Sequence, residues 1–354
     1  MRLPEEAYAA ALACLPSVGP STLRSLLDSD QPSLAWARQR DGQDLGLDAV
    51  RDAWARHRRL GISLLRRGQP SYPTRLAGDP QAPAVLFCLG DPSVLNAAVA
   101  TVALVGTRAP TRYGIGVAAQ FAADLSAAGV SVVSGLALGI DGAAHEGACG
   151  VGAPPIGVVA GGLDEPYPSR HARLWDRVAA QGVIVSESPA GVRTEKWRFP
   201  VRNRLLAALS DVVVVVESRH LSGSRHTVNA AMDRGVPVGA VPGSIRSPTS
   251  EGTNALLADG AFPACSAGDI LVALSLKGAP VPTVGVAPVQ HESPRRPPRA
   301  GRERQVYDAL SYDAASLDEL SLLTGLDFSA LCGTLEGLAQ AGLARDTGGW
   351  WERV

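Results

Sequence analysis

Residues 196–204 combine cations and aromatic rings in a way that suits single-stranded nucleic acid. The segment Lys196–Arg204 holds four cations and two aromatic rings and contains no acid. Buried cations need partners, so a protein core has little use for this mixture. Cations that follow phosphates, beside an aromatic ring that stacks on a base, are a common means of holding a single strand. The segment therefore predicts a binding site whose members are Lys196, Phe199, Arg202, Asn203 and Arg204.

Three other segments place small or polar residues directly after apolar runs, where anions could bind. A glycine lets the backbone approach an anion, hydroxyl and amide groups donate at a helix N-terminus, and an arginine can fork onto a phosphate. Each segment alone could be an ordinary tight turn, but in an open parallel sheet all three would meet in one crevice at the carboxyl ends of the strands. The candidate residues are Gly106, Thr107 and Arg108 after the first run, Gly135 after the second, and Ser222, Gly223 and Ser224 after the third.

The motifs of several enzyme classes are missing from the sequence. There is no GxxxxGK[ST] phosphate loop, no GxGxxG dinucleotide fingerprint and no GxSxG nucleophile elbow. Ser134, Asp141 and His145 could be imagined as a triad. We instead expect Asp141 to brace its loop and His145 to make a packing hydrogen bond. The other histidines lack metal-ligand spacing. We therefore predict no catalytic residue, no metal and no cofactor.

The segment 71–276 has the pattern of a doubly wound α/β fold. Short runs that are apolar throughout alternate with helix-length segments, as expected for parallel strands covered on both faces. An earlier run, 84–89, is expected to add an edge strand. The predicted strands of the parallel sheet are residues 102–106, 130–134, 156–160, 183–186, 212–216 and 236–241.

Three further segments flank this domain. Residues 1–70 are predicted to be a helical domain, in which Leu15–Leu23 resembles a helix-hairpin-helix turn, of the type also found in SAM-like domains. Residues 277–300 are proline-rich and predict a linker. Residues 301–354 predict a winged helix of three helices and a hairpin. This tail carries nine acids against four arginines, which argues against DNA binding by it.

Bulk composition sets limits on function and location. The net charge of −1 leaves no general basic field, so any nucleic-acid site must be a local patch. The five cysteines are an odd number without a CxxC pair, which indicates thiols in a reducing cytosol. No signal peptide and no apolar run of membrane-spanning length is evident, so we expect a cytoplasmic protein without a membrane span.

The motifs taken together resemble the DNA-processing protein A (DprA) family, whose members load RecA in natural transformation. The matches are collinear and span residues 72–262. Two positions depart from the usual family pattern, Arg225 and Val228. The matching segments are Val105–Arg108 with Tyr113 and Gly114, Ser134–Asp141 with His145, Gly162–Asp164 with Tyr167 and Pro168, Ser186 and Glu187, Phe199–Arg204, Ser222–Ser224 with Thr227, Val241–Gly243, Gly252 with Asn254, and Gly260 with Ala261.

The resemblance implies a Rossmann-like core that binds and protects single-stranded DNA without hydrolysing anything. It also implies a homodimer formed through this core, and transfer of the strand to RecA. The family's basic pocket corresponds here to Arg108, Lys196, Phe199, Arg202 and Arg204.

Two alternatives remain at this stage. The first is an enzyme resembling the nucleoside-monophosphate phosphoribohydrolases, which share the fold class. The segment Leu221–Asn229 lacks their PGGxGTxxE motif and has no acid at the position of the catalytic glutamate. The second is a DNA-binding adaptor without a role in RecA loading, which the sequence alone does not distinguish from a loader.

Overall fold

The computed structural model describes residues 3–40, 46–219, 223–279, 297–311, 314–346 and 348–353. They fall into two compact units, residues 1–284 and residues 285–354.

The first unit is built on a sheet that has nine strands among the described residues. The strand order is β1-β2-β6-β5-β4-β3-β7-β8-β9, in which β3 to β9 run parallel to one another and β2 is antiparallel to both of its neighbours, β1 and β6. Because β3 lies between β4 and β7, the chain winds outward in both directions from β3, and this switch point opens a crevice at the carboxyl ends of the strands. The strands are β1 (Ile62–Arg66), β2 (Val85–Gly90), β3 (Ala100–Val105), β4 (Val130–Ser134), β5 (Ile156–Val159), β6 (Val183–Ser186), β7 (Val212–Val215), β8 (Val238–Ala240) and β9 (Phe262–Pro263).

Helices cover both faces of this sheet. Along β3, Val102 and Leu104 join one apolar cluster with α7, α8 and α13, whereas Ala103 and Val105 join another with α10 and α11. This alternation explains why the parallel strands are apolar throughout. The helices of the first unit are α1 (Glu5–Ala13), α2 (Pro20–Ser29), α3 (Pro32–Arg40), α4 (Leu47–Arg59), α5 (Thr74–Ala77), α6 (Val94–Ala97), α7 (Arg112–Ala127), α8 (Ile140–Ala148), α9 (Ala172–Gln181), α10 (Arg198–Ala208), α11 (Ser224–Met232), α12 (Glu251–Ala258) and α13 (Ala267–Leu276).

The N-terminal helices pack on the β1–β2 side of the sheet, and His57 of α4 anchors them there. The imidazole is 1% exposed and stacks on Phe87 of β2, with the ring centroids 5.0 Å apart. Its Nδ1 donates to the carbonyl oxygen of Ala53 at 2.7 Å, and its Nε2 accepts from the backbone N–H of Ala190 at 3.1 Å. Burial lowers the pKa of His57, which favours this neutral tautomer. The contact fastens α4 to the loop that follows β6.

Two predictions about this region were wrong in detail. Residues 62–66, predicted as part of a helical segment, form β1, which pairs with β2 along its whole length. The run 84–89, predicted as an edge strand, lies between β1 and β6. Both errors follow from the missed strand β1, whose pairing with a partner distant in sequence overrides local helix propensity and covers the outer side of β2.

The second unit is a small winged helix with its own apolar core around Val306, Leu320 and Leu335. Capping favours its helices. Ser316 accepts from the N–H of Glu319 while the Glu319 carboxylate accepts from the N–H of Ser316, and Asp327 caps the next helix. Its elements are α14 (Gly301–Ala309), β10 (Ala315–Ser316), α15 (Leu317–Thr324), α16 (Phe328–Gln340), β11 (Ala344–Asp346) and β12 (Trp350–Arg353).

The predicted helices and hairpin of this tail agree with the structure, and β10 adds a third short strand beside β12. Most of the predicted linker, residues 280–296, lies outside the described residues. No helix in the described ranges is long and apolar enough to cross a membrane.

Candidate nucleic-acid interface

A cavity of about 430 Å³ opens beyond the carboxyl ends of β3 and β7, at the switch point of the sheet. Its walls come from the loop after β3, the first two turns of α10 and the start of α11. Nine of the twelve residues predicted for the site line it, and these are Gly106, Thr107, Arg108, Lys196, Phe199, Arg202, Asn203, Gly223 and Ser224. Of the other three, Gly135 lies beneath the cavity against Arg202, Arg204 turns away from it, and Ser222 lies outside the described residues.

Two cations at the cavity, Arg108 and Lys196, are exposed and are available to an anion. Within the described ranges, neither has a hydrogen-bond or ion-pair partner. The guanidinium of Arg108 lies over the Phe199 ring at 4.3 Å from its centroid. These two cations come from different elements, the loop after β3 and the approach to α10. The fold therefore brings together charges that are far apart in sequence.

Phe199 lies in the first turn of α10 and is half-buried. Besides Arg108 it contacts the ring of Tyr167, with centroids 5.9 Å apart and planes inclined at 48°. The guanidinium on its face is a cation–π contact of modest strength, roughly 0.5–1 kcal/mol at an exposed site.

Arg202 differs from the expectation of a solvent-facing phosphate ligand. Its side chain is 5% exposed, and it donates to the carbonyl oxygens of Gly135, at 2.9 Å, and Val158. Burial lowers its pKa to about 10, against the opposing effect of nearby Asp141, so it stays charged at neutral pH. A Cβ on Gly135 would lie 2.5 Å from Asp141 Oδ2 and 2.6 Å from the Arg202 guanidinium, so a larger residue there would displace these two buried side chains. Arg202 and Gly135 thus brace the floor of the cavity.

Arg204 does not face the cavity. Its guanidinium donates to the carbonyl oxygen of Gln81 at 2.6 Å and pairs with Glu187. Burial raises the pKa of Glu187, and the charge of Arg204 opposes this. Arg204 lies two residues after Arg202 on a helix, so the two side chains point to different sides of α10.

The loops around the cavity are joined to one another by side-chain hydrogen bonds. Asn203 Nδ2 donates to the Gly223 carbonyl oxygen at 3.2 Å, which links α10 to the start of α11. The Ser224 hydroxyl is buried and lies 2.8 Å from that of Ser218, so it is engaged within the protein. The predicted anion nest at residues 222–224 therefore has one serine in an internal hydrogen bond and the other beyond the described residues.

Ser134, Asp141 and His145 do not form a hydrogen-bonded triad. The Ser134 hydroxyl donates to the Leu104 carbonyl oxygen at 2.6 Å, and the Asp141 carboxylate accepts from the Gly135 N–H at 3.1 Å. Asp141 therefore braces its loop, as expected. His145 is fully buried, and a backbone interaction with Ser134 raises its pKa against the larger effect of burial, although neither ring nitrogen makes a hydrogen bond of full geometry in the described part of the chain.

Glu217 is a structural residue that the sequence analysis missed. It follows β7, is 2% exposed, and accepts from the Thr111 N–H at 2.8 Å and from the Thr111 hydroxyl at 2.6 Å. The Thr249 hydroxyl donates to it at 3.1 Å. Glu217 thereby holds the start of α7 against the end of β7 and fixes the loop that carries Arg108. The sequence feature that could have predicted this role is an acidic residue placed directly after a wholly apolar strand.

Comparisons with known proteins agree with this architecture. Residues 63–275 match the family model of DNA recombination-mediator protein A, and residues 290–348 match that of the DprA winged helix domain. A relative in Mycobacterium tuberculosis (strain H37Rv), named as a DNA processing protein DprA, is 41% identical over 278 residues, which cover 76% of this chain and 68% of the relative. The DNA processing protein DprA of Bacillus subtilis (strain 168) is 38% identical over 216 residues, covering 61% and 72%.

Two solved structures share the fold. DNA processing protein A from Streptococcus pneumoniae superimposes with a TM-score of 0.63 at 28% identity, over 77% of this chain and 98% of that one. The protein of the same name from Helicobacter pylori, described for its unique single-stranded DNA binding mode, gives a TM-score of 0.56 at 31% identity, over 62% and 97%. On the family match across the sheet domain and the identity to these relatives, the chain belongs to the DNA recombination-mediator protein A family.

Proposed function

We propose that this chain binds single-stranded DNA in the cavity between β3 and β7 and passes the strand to RecA in transformation and recombination. The observation that carries the proposal is the arrangement at the cavity mouth, where Arg108 and Lys196 lie beside the half-buried ring of Phe199. Single-strand sites combine these two elements, cations for the backbone and a ring for a base. The Helicobacter pylori relative, with its single-stranded DNA binding mode, supports the same assignment.

The residues divide into those that would contact DNA and those that hold the site in shape. Arg108 and Lys196 are exposed cations that bind phosphates, and Phe199 stacks on a base. Thr107, Gly106 and the backbone at Gly223 line the same cavity and supply smaller polar contacts. Arg202, Asn203, Ser224 and Gly135 act through the hydrogen bonds that fix the walls, and Arg204 acts through its pair with Glu187.

Replacing Phe199 by alanine is expected to weaken binding of a single strand by roughly 1–3 kcal/mol, because stacking of one base is lost. The measurement is fluorescence anisotropy with a labelled oligonucleotide. Phe328→Ala is the matched control, since Phe328 is 61% exposed and belongs to the winged helix. If the Phe199→Ala protein folds normally and binds like wild type, the stacking role is wrong.

The proposed handover requires no chemistry by this chain. We infer a cytoplasmic homodimer in which two such cavities hold one strand and present it to RecA. Addition of the protein should therefore speed nucleation of RecA filaments on strands coated with single-strand-binding protein. Disruption of the dimer should remove the effect, because a single cavity lacks the avidity of two linked ones.

This assay, together with an assay of turnover by the purified protein without RecA, distinguishes the alternatives. Tight strand binding without faster nucleation would favour an adaptor that has no role in RecA loading. Turnover of a nucleotide or of the DNA, abolished by one substitution in the cavity, would favour an enzyme.

A further inference from the structure

A second cavity, of about 440 Å³, lies next to the first, where α4 meets the loops that follow β5 and β6. Tyr167 lines this second cavity and Phe199 lines the first. Because the two rings are in contact, they form the ridge that separates the cavities. A strand that leaves the first cavity over Phe199 therefore reaches Tyr167 and the second cavity.

Tyr167 is well placed to contact a base. It is 50% exposed, and its hydroxyl has no hydrogen-bond partner among the residues that the structure describes. Its centroid lies 5.9 Å from that of Phe199, which exceeds the rise of about 3.4 Å per nucleotide in a B-form strand. Neighbouring bases can contact both rings only in an extended strand, a form available to single-stranded DNA and not to a regular duplex.

One wall of the second cavity is fixed by an ion pair. The two carboxylate oxygens of Asp164 accept from Arg56 Nη2 at 2.9 Å and from the Gly191 N–H at 2.8 Å. Gly191 has φ +94°, a conformation that strains any other residue, and a Cβ there would lie 2.7 Å from Arg56 Nη1. Arg56 belongs to α4, so the N-terminal helices help to form the cavity without presenting a free cation to it.

The remaining charges of the second cavity cancel. Arg193 and Glu165 are both exposed, and neither has a partner within the described ranges. A cavity without net charge binds phosphate weakly. It suits an uncharged ring with polar edges, because a guanidinium donates to base carbonyls and a carboxylate accepts from base amino groups.

We propose that this second cavity holds the nucleobase that follows the Phe199-stacked base along the bound strand, with Tyr167 as its stacking platform. The inference rests on the proposed function and adds a further nucleobase subsite to it. The N-terminal helical segment then contributes to strand binding through the Arg56–Asp164 wall.

The test uses the full chain and two DNA ligands, a single nucleotide that can fill only the first cavity and an oligonucleotide of about eight nucleotides that spans both. Tyr167→Ala should weaken binding of the oligonucleotide by roughly 5- to 100-fold, the loss of one stacked base, and leave binding of the single nucleotide unchanged. Tyr167→Phe should behave as wild type, because the ring is kept. Tyr167→Leu should bind like the alanine variant. It serves as a second test if alanine disturbs folding, because leucine keeps an apolar side chain of larger volume.

Three outcomes would contradict the proposal. Unchanged binding of the oligonucleotide by Tyr167→Ala and Tyr167→Leu would show that no base contacts the ring. Equal weakening of both ligands would show that Tyr167 acts only by supporting Phe199. Failure of the wild-type protein to bind either ligand would instead remove the proposed function itself, and the subsite with it.

Discussion

Replacing Arg202 by methionine should lower the free energy of unfolding by about 3–5 kcal/mol, which exceeds the effect expected from the loss of one DNA contact. The guanidinium is buried, donates to the carbonyl oxygens of Gly135 and Val158, and lies near the buried carboxylate of Asp141. Methionine preserves much of the volume but leaves two carbonyl groups and a buried carboxylate without their cation. Removal of one member of such a group is costly because the other remains buried and uncompensated.

Urea unfolding of the two proteins measures this effect. Arg58→Met is the control, since Arg58 is exposed on α4 and its loss should change stability by less than about 0.5 kcal/mol. Addition of Asp141→Asn to the Arg202→Met protein should restore part of the lost stability, because the uncompensated carboxylate is removed. An Arg202→Met protein as stable as wild type would show that Arg202 does not brace the cavity floor.

Acidification should destabilise the protein through His145. Burial lowers the pKa of His145 from 6.5 to about 4. The unfolded chain therefore binds a proton that the folded chain excludes. As pH falls below 6.5, protonation of His145 in the unfolded chain lowers the free energy of unfolding. The loss should reach about 2 kcal/mol at pH 5 and about 3 kcal/mol at pH 4, from the usual 1.36 kcal/mol per pKa unit. His57, whose pKa is also lowered by burial, adds in the same direction.

Asp141 acts in the opposite sense. Burial raises its pKa, so its ionisation costs stability as pH rises, and acid relieves that cost. The difference between wild type and His145→Leu isolates the histidine, because Asp141 and His57 are present in both. The free energy of unfolding of His145→Leu should fall less than that of wild type between pH 7.5 and pH 5. Parallel pH profiles for the two proteins would contradict the assignment.

The sheet was predictable from sequence because its strands are covered on both faces. Val130–Ser134 and Val183–Ser186 have the predicted bounds, since a wholly apolar run between helix-length segments has few other interpretations. Strand β1 was missed because Ile62–Arg66 is only partly buried and its apolar residues do not alternate. Its conformation depends on pairing with β2, whose paired residues lie 19 to 27 positions further along the chain, and the local sequence does not show which segment pairs with it.

The candidate site was predictable in composition but not in the direction of its side chains. Ligands of an open parallel sheet bind beyond the carboxyl ends of its strands. This rule and the residue types together predicted a shared site for Arg108, Lys196 and Phe199, and all three line the cavity. Nothing in the segment 196–204 distinguished exposed Lys196 from buried Arg202 or from Arg204, which pairs with Glu187. That difference follows from the helical phase of α10, which begins at Arg198, and from the acids and carbonyl groups that distant strands supply.

The central claim, that the cavity binds single-stranded DNA, is tested most directly by titrating labelled single-stranded and duplex oligonucleotides across a salt series. The wild-type protein should bind the single strand more tightly, and the logarithm of its binding constant should fall linearly with the logarithm of salt concentration. Lys196→Ala should reduce that slope by about 0.7, the value for one phosphate contact on a single strand. Lys277→Ala should leave the slope unchanged, because Lys277 donates to the Gly235 carbonyl oxygen and does not line the cavity. Equal affinity for both forms of DNA, or the same slope for all three proteins, would contradict the account.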